Sequence, residues 1–421
     1  MKYDILNIIM PFWRNRKKYA LKKSVQSVRD GYKQKLSELS QKLSKEKIKV
    51  VFLIRENQKW TYGPLYKLFE EDSRFEPCVL VSLLQLSHKG KDKTRNNLEE
   101  NYNFFKQRNI NVDYAYRNGK YIDLKEFNPD IIFYDQPYEL PPEHSPIYTS
   151  EFALNCYSSY SYEMLDCEGD FTQKFHSYLF KYFLEHSLNV ERYGSYNSEN
   201  AENCVVTGYP KLDVYLDTKE PHTDVWKDNS KFKIIYAPHH SMDKKGIHLA
   251  TFRENYKYIL DFAKKNTETT WIFKPHPRLK YALLRNKIMT MEEIENYYNE
   301  WREIGNIYEQ GDYFDIFKTS DMMITDGCSF LGEYLPTTKP LIRLVGDKAL
   351  KLNKLGEMIV SGYYQVYNKE EFEKQIYDIV VNKEDTKKEL RENLIKEIID
   401  EKETSSHKIY SYILKTISEV N

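Results

Sequence analysis

Short apolar runs alternate with helix-forming stretches twice over, and this constrains the chain more than any other feature. Lys49-Val50-Val51-Phe52-Leu53-Ile54, Cys78-Val79-Leu80-Val81 and Ile131-Ile132-Phe133-Tyr134-Asp135 read as buried strands, with helices over residues 62–69 and 97–107 among them. Residues 175–188 read as an aromatic-rich helix, and residues 204–213 as a short strand and a turn. A polar stretch, residues 216–231, reads as a linker, after which the pattern restarts. Strand-like runs at 233–237, 270–274, 322–324 and 339–344 alternate with helices near 253–266 and 291–304. Strands separated by helices at this spacing predict parallel sheets with right-handed crossovers. At 421 residues the chain is too long for one ordinary core. The expected fold is therefore α/β, two facing Rossmann-like lobes with parallel sheets. The expected divisions are a helical arm over 1–46, a first lobe over 47–215, a second over 216–368, and helices over 369–421.

The informative polar residues follow strands of the second half. Pro238-His239-His240-Ser241 follows the 233–237 strand, and Lys274-Pro275-His276-Pro277-Arg278 follows the 270–274 strand. Thr325-Asp326-Gly327-Cys328-Ser329 follows the 322–324 strand and leads into helix-like residues 330–335. In a parallel sheet these strand ends share one rim, where open α/β sheets bind ligands. A strand, a small-residue turn and a helix start form an anion-binding device. Lys274, Arg278 and the histidines beside it describe a diphosphate pocket, and an imidazole there could act as general base. Phe330 opens the helix, and Glu333 is placed where its carboxylate reaches ribose hydroxyls. Taken alone, the Lys-Pro-His-Pro run also reads as a rigid turn with a capped histidine.

Other chemistries fit less well. Adjacent histidines point in different directions, and HxxxH and HExxH patterns are absent, so no metal site is expected at His239-His240. The chain lacks GxGxxG, GxxxxGK[ST] and GxSxG, which disfavours a nicotinamide or flavin site, an ordinary P-loop and a nucleophile elbow. With 63 basic and 63 acidic residues, no electrostatic case for nucleic acid exists. Five cysteines without a CxxC suit a reducing cytosol. The 36 tyrosines fit either a carbohydrate-binding surface or a genomic bias.

The N-terminus runs Ile5-Leu6-Asn7-Ile8-Ile9-Met10-Pro11-Phe12-Trp13 and then Arg14, Arg16, Lys17, Lys18, Lys22 and Lys23 with no acidic residue between them. The apolar part precedes the charges, opposite to a signal peptide. It is also too short and interrupted to span a bilayer. Residues 1–24 are thus expected to lie on an anionic membrane surface, or else to pack on the protein as a helix or fray.

Ile235-Tyr236-Ala237-Pro238, Lys274-Pro275-His276-Pro277, and Thr319-Ser320-Asp321 running into Ile324-Thr325-Asp326-Gly327-Cys328-Ser329 resemble the CDP-glycerol glycerophosphotransferase family of teichoic acid and capsule enzymes. Thr207-Gly208-Tyr209-Pro210-Lys211-Leu212-Asp213 is similar to the turn joining that family's lobes. The match covers about residues 200–345. The resemblance implies a GT-B fold with a nucleotide-activated donor in the C-terminal lobe. A lipid-linked or polymer acceptor would be held by the N-terminal lobe, on the inner face of the cell membrane. It further implies that His276 contacts the donor diphosphate and that Thr325, Asp326, Gly327 and Ser329 cradle the phosphates. Glu333 takes the place of the family's acidic residue, and Gly311-Asp312-Tyr313 falls in the loop that meets the cytosine. His239 or His240 is the expected base; no cofactor beyond the CDP-activated donor is expected, with a divalent ion left open. Two departures stand out. Residues 154–160 hold no histidine where typical members carry Trp-His-Gly, and the turn reads Asp-Gly-Cys-Ser in place of Asp-Tyr-Ser-Ser. The expected activity is transfer of a glycerol-phosphate-like group from a CDP-activated donor. The alternatives are a GT-B glycosyltransferase using a nucleotide sugar, an enzyme like the UDP-sugar 2-epimerases, and a non-catalytic GT-B subunit.

Overall fold

The computed structural model describes residues 24–88, 91–95, 97–138, 140–167, 174–196, 201–217, 221–243, 246–309, 313–400 and 402–419. The apolar–basic terminus expected to meet a membrane lies outside them, apart from Ser24. The chain folds into two compact units, one of residues 1–160, 168–211 and 403–421, the other of residues 161–167 and 212–402.

The first unit is built on seven parallel strands: β1 (Ile48–Ile54), β2 (Phe75–Val81), β5 (Val112–Tyr114), β8 (Ile131–Tyr134), β9 (Leu154–Ser158), β10 (Lys181–Leu184) and β11 (Cys204–Val206). Their order is β11-β10-β9-β8-β1-β2-β5. Two small antiparallel hairpins, β3 (Leu84–His88) with β4 (Lys91–Arg95) and β6 (Tyr116–Arg117) with β7 (Lys120–Tyr121), branch from it. Val50 to Ile54 are all buried, as befits a central strand covered on both faces.

Two readings of the sequence change here. The expected helical arm is a helix over 24–42, but its few large apolar residues do not leave it exposed: it buries Val25, Tyr32 and Leu39. Those three lie seven residues apart, so sparse apolar positions still form one stripe. Lys35 and Lys42 pin the helix to the buried carboxylate of Asp130 at 3.1 and 2.6 Å. The expected helix over 175–188 is two short helices, Lys174–Ser177 and Ser187–Tyr196, on either side of β10. Tyr182, Phe183 and Leu184 pair with β9 and β11 and are buried, so sheet pairing overrides the local pattern.

The second unit holds six parallel strands: β12 (Phe232–Ala237), β13 (Thr269–Phe273), β14 (Gly305–Ile307), β15 (Met322–Thr325), β16 (Leu341–Leu344) and β17 (Tyr364–Val366). Their order β14-β13-β12-β15-β16-β17 is that of a doubly wound sheet, reversing direction between β12 and β15. Tyr236 is level with Phe273 on one side and Ile324 on the other, so β12, β13 and β15 end at one height. Trp271, Phe273 and Trp301 lie in the core beside the strands. The helix Met291–Ile304 starts with a capping box between Thr290 and Glu293.

The polar stretch 216–231 does not hang free where described: Trp226 is buried and donates from Nε1 to Thr319 Oγ1 at 2.8 Å. Residues 161–167, from the middle of the chain, pack on this unit through Tyr162, which lies against Gly332, and through Glu163, whose carbonyl accepts from Asn353 at 2.7 Å. The helices Lys369–Val380 and Lys388–Ile398 also belong here. The last helix, Ser405–Ser418, returns to the first unit and buries Ile409, Ile413 and Ile417. Gly208, in the Thr-Gly-Tyr-Pro turn, has φ +87°, which disfavours any side chain, and a Cβ there would lie 2.4 Å from Ser405 Oγ.

Candidate functional site

The reversal point of the second sheet gathers most of the polar residues singled out in the sequence. The ring centroids of His239 and His240 are 4.5 Å apart, those of His239 and His276 5.1 Å, and those of His240 and His276 3.9 Å, the last pair stacked. The expectation that the adjacent histidines diverge is therefore wrong. One ligand atom from each histidine can be chosen so that all lie within 4.8 Å of one another. By distance alone the trio could hold a metal ion.

Hydrogen bonds decide the tautomers. His239 Nδ1 accepts the Ser241 backbone N–H at 3.2 Å and lies 2.8 Å from Ser241 Oγ. That hydroxyl oxygen already accepts the Leu249 N–H at 2.9 Å, which leaves its proton to donate to Nδ1. His276 Nδ1 accepts the Arg278 backbone N–H at 3.0 Å. A backbone N–H can only donate, so both rings, when neutral, carry their proton on Nε2. His240 Nδ1 is buried and has no hydrogen-bond partner among the described residues. Burial lowers all three pKa values, to about 3 for His239, about 4 for His240 and about 2 for His276. Mutual repulsion of the rings adds to this for His239 and His276, and the Arg278 charge adds to it for His240 and His276. The cluster is neutral at pH 7.

The turn after β15 is built from inside. Thr325 is fully buried; its hydroxyl donates to the Ala237 carbonyl at 2.7 Å and accepts the Gly327 N–H at 3.0 Å. Asp326 is also buried, and its carboxylate accepts from the His239 N–H at 2.5 Å. It further accepts from the Thr251 N–H at 2.6 Å and the Thr251 hydroxyl at 2.9 Å. Burial nevertheless raises its pKa to about 6. Thr325 and Asp326 therefore spend their side chains on the turn itself. Gly327 lies beside the cluster: a Cβ there would be 3.8 Å from the His239 ring. Ser329 is half-buried at the start of the helix Ser329–Tyr334, only six residues long.

Lys274, Phe330 and Glu333 form a neighbouring group. The Lys274 ammonium is surrounded by three rings, 4.8 Å from the centroid of Tyr313, 5.5 Å from Tyr308 and 5.7 Å from Phe330. Glu333 is buried, accepts from the Tyr313 hydroxyl, and offers its carbonyl to the Tyr215 hydroxyl at 2.7 Å. Arg278 is exposed and makes no ion pair among the described residues. Asp312, expected near the base, lies outside the described residues. Sequence reasoning misses Thr251, and it names Ser241 and Tyr313 only as members of the 238–241 and 311–313 runs, without the roles their side chains take here. A Thr immediately before a helix and a Ser two residues after a His were the available signals, and both are common.

Fold and site together define a GT-B-type α/β protein with its polar residues gathered at the reversal point of the second sheet. The chain belongs to the CDP-Glycerol:Poly(glycerophosphate) glycerophosphotransferase family, whose model matches residues 190–414, and is a transferase on that ground. No curated protein matches it. Among solved structures it is similar to a variant of the wall teichoic acid polymerase TagF soaked with CDPG, at 15% identity and TM-score 0.56, over 98% of each chain. It is also similar to a putative UDP-N-acetylglucosamine 2-epimerase from Listeria monocytogenes (14% identity, TM-score 0.58, 89% of this chain and 98% of that one). The S. aureus MnaA–UDP structure matches at 14% identity and TM-score 0.53, over 88% of this chain and 98% of that one. At these identities the likeness is one of fold.

Proposed function

We propose that this chain moves a glycerol-phosphate-like group from a CDP-activated donor to a hydroxyl of a cell-surface polymer or lipid-linked acceptor. The observation that carries the reading is the convergence of His239, His240, His276 and the Gly327–Ser329 turn at the reversal point, in a chain of this family. In the reaction, the acceptor oxygen forms a bond to the donor's β-phosphorus. The bond from that phosphorus to the bridging oxygen breaks, and CMP leaves with the bridging oxygen. Charge gathering on the bridging and terminal oxygens is met by the Nε2–H of His276, the Arg278 guanidinium and the backbone N–H of Ser329, with Gly327, whose own N–H is held by Thr325, leaving room for them. The acceptor's proton passes to His240, whose Nδ1 has no partner among the described residues. Nearby phosphate charge raises the affinity of that ring for a proton.

Lys274, Thr325 and Asp326 change role in this reading, and Glu333 keeps its own. Lys274 supplies positive charge from within its ring of aromatic groups, at a distance from the phosphates. Thr325 and Asp326 shape the turn. Glu333, held by Tyr313, lies on the nucleoside side. The acceptor belongs to the first unit, and residues 1–24 hold the protein to an anionic membrane on its cytoplasmic side. Among the described residues no helix is long and apolar enough to cross a membrane.

The test is turnover: CDP-glycerol with a lipid-linked polyol acceptor, followed as CMP release, in wild type, His240→Gln and His276→Gln. CMP formation that falls at least 100-fold in both variants supports the assignment. CMP release undiminished in His240→Gln removes it as the base. Turnover with UDP-sugars and not with CDP-glycerol makes the chain a sugar transferase.

A further inference from the structure

We propose that His239 acts as a second Nε2–H donor beside His276, held in that tautomer by Ser241, and that the three-histidine cluster thereby takes an oxyanion and refuses a divalent cation. The inference rests on the transferase reading and sharpens the chemistry of the same site.

Three nitrogens within 4.8 Å ordinarily suggest a metal. A histidine binds a metal through a nitrogen lone pair while its other nitrogen carries the proton and donates outward. Here the outward partners of His239 and His276 are backbone N–H groups, of Ser241 and Arg278. To free the Nε2 lone pair, the proton would have to move to Nδ1, where it would meet a second proton that cannot turn away. Each ring would lose a hydrogen bond and gain a donor–donor clash. Binding through Nδ1 would break the same bonds. The stacking of His240 on His276 at 3.9 Å also opposes a common coordination point, since ligand rings spread around a metal.

With Nε2 protonated, each ring instead offers a neutral N–H, and Gly327, whose lack of a side chain leaves room next to the His239 ring, gives an oxyanion a place beside it. Neutral N–H groups suit a phosphoryl oxygen that gains charge during reaction, because their own protonation is not needed. Ser241 completes the device: its hydroxyl is oriented by the Leu249 N–H, so that its proton points to His239 Nδ1. Ser241 is accordingly a positioning residue, and His239 is the additional group that touches the substrate.

The experiment uses the full chain with histidine imidazoles labelled with 15N. His239, His240 and His276 are assigned through single replacements by Gln, or by Asn should a Gln variant fail to fold. At pH 7 the long-range proton–nitrogen pattern should show Nε2–H tautomers for His239 and His276. Inorganic pyrophosphate should move the Nε2 resonances of both, while zinc ion at equal concentration should leave them unchanged. Ser241→Ala should weaken pyrophosphate binding several-fold, with Ser241→Thr restoring it. An Nδ1–H tautomer at either residue, or zinc bound at micromolar concentration, would overturn the inference. Failure of the transferase reading looks different: pyrophosphate would still move both resonances while no cytidine nucleotide bound. Conversely, cytidine nucleotides that bind without moving the His239 resonance would sink this inference and leave the transferase reading standing.

Discussion

Asp326 illustrates how a residue can matter to a site without facing its ligand. Its carboxylate receives the His239 N–H and both donors of Thr251, so removing it strands three donors in a buried place. Each buried donor left unpaired costs about 1–3 kcal/mol. Asp326→Ala is therefore expected to lower the unfolding free energy by several kcal/mol, measurable by urea denaturation. Asp326→Asn should cost less but still destabilise, because one amide N–H2 must face a donor. Titration gives a second residue-scale prediction. Each clustered histidine has a folded pKa far below the ordinary 6.5. Stability is therefore complete above pH 6.5 and falls as the pH drops toward 4. Asp326 runs the other way: its folded pKa of about 6 exceeds the ordinary 3.8, so its contribution is present at low pH and lost as the pH rises through 6. Three groups against one make the histidines win. The melting temperature should fall between pH 7 and pH 4.5, and replacing His276 with Gln should shallow that fall.

At the scale of elements, Gly332 is the tightest position near the site. A Cβ there would sit 2.6 Å from the Tyr162 ring, within the buried part of the helix Ser329–Tyr334. Gly332→Ala should cost about 1–3 kcal/mol as an overpacked contact, and pairing it with Tyr162→Leu should recover part of that loss. The elements themselves were legible to different degrees. Helices 252–265 and 291–304 announced themselves through long amphipathic runs. The strands bearing the site stood out because they are short, apolar and followed by unusual polar residues. β10 was not legible: four residues, Lys-Tyr-Phe-Leu, lie among aromatics that suit a helix equally well, and only neighbouring strands make them extended. That the segments bearing His239, His240 and His276 share one rim was readable from strand order; that the two adjacent histidines both turn toward His276 was not. The burial of Thr325 and Asp326 beneath the turn was not, since a sequence does not show which way a turn residue points.

For the whole molecule, length and a strand–helix pattern that restarts pointed to two α/β bodies, and sheet order made each one concrete. The first unit closes with a helix from the far end of the chain, whose Ile409, Ile413 and Ile417 join its core. Truncation after residue 402 should therefore unfold the first unit cooperatively, seen as a lost thermal transition, whereas truncation within the second unit's loops should not touch it. No sequence pattern assigns a terminal helix to a distant partner; its isoleucine stripe says only that some core receives it. The membrane proposal belongs at this scale too. Deleting residues 1–23 should abolish sedimentation with anionic liposomes while leaving nucleotide binding intact; unchanged sedimentation would contradict it.

A cytidine-diphosphate donor held at the reversal point of the second sheet is to be sought first by a thermal-shift comparison of CMP, CDP, CDP-glycerol and UDP against wild type and Ser329→Ala. A ligand at ~100 times its dissociation constant adds about 2.7 kcal/mol to the unfolding free energy. The cytidine nucleotides should stabilise the protein, CDP-glycerol most strongly, and less so in Ser329→Ala. Stabilisation by UDP alone, or by none of the nucleotides, would contradict a cytidine-diphosphate donor.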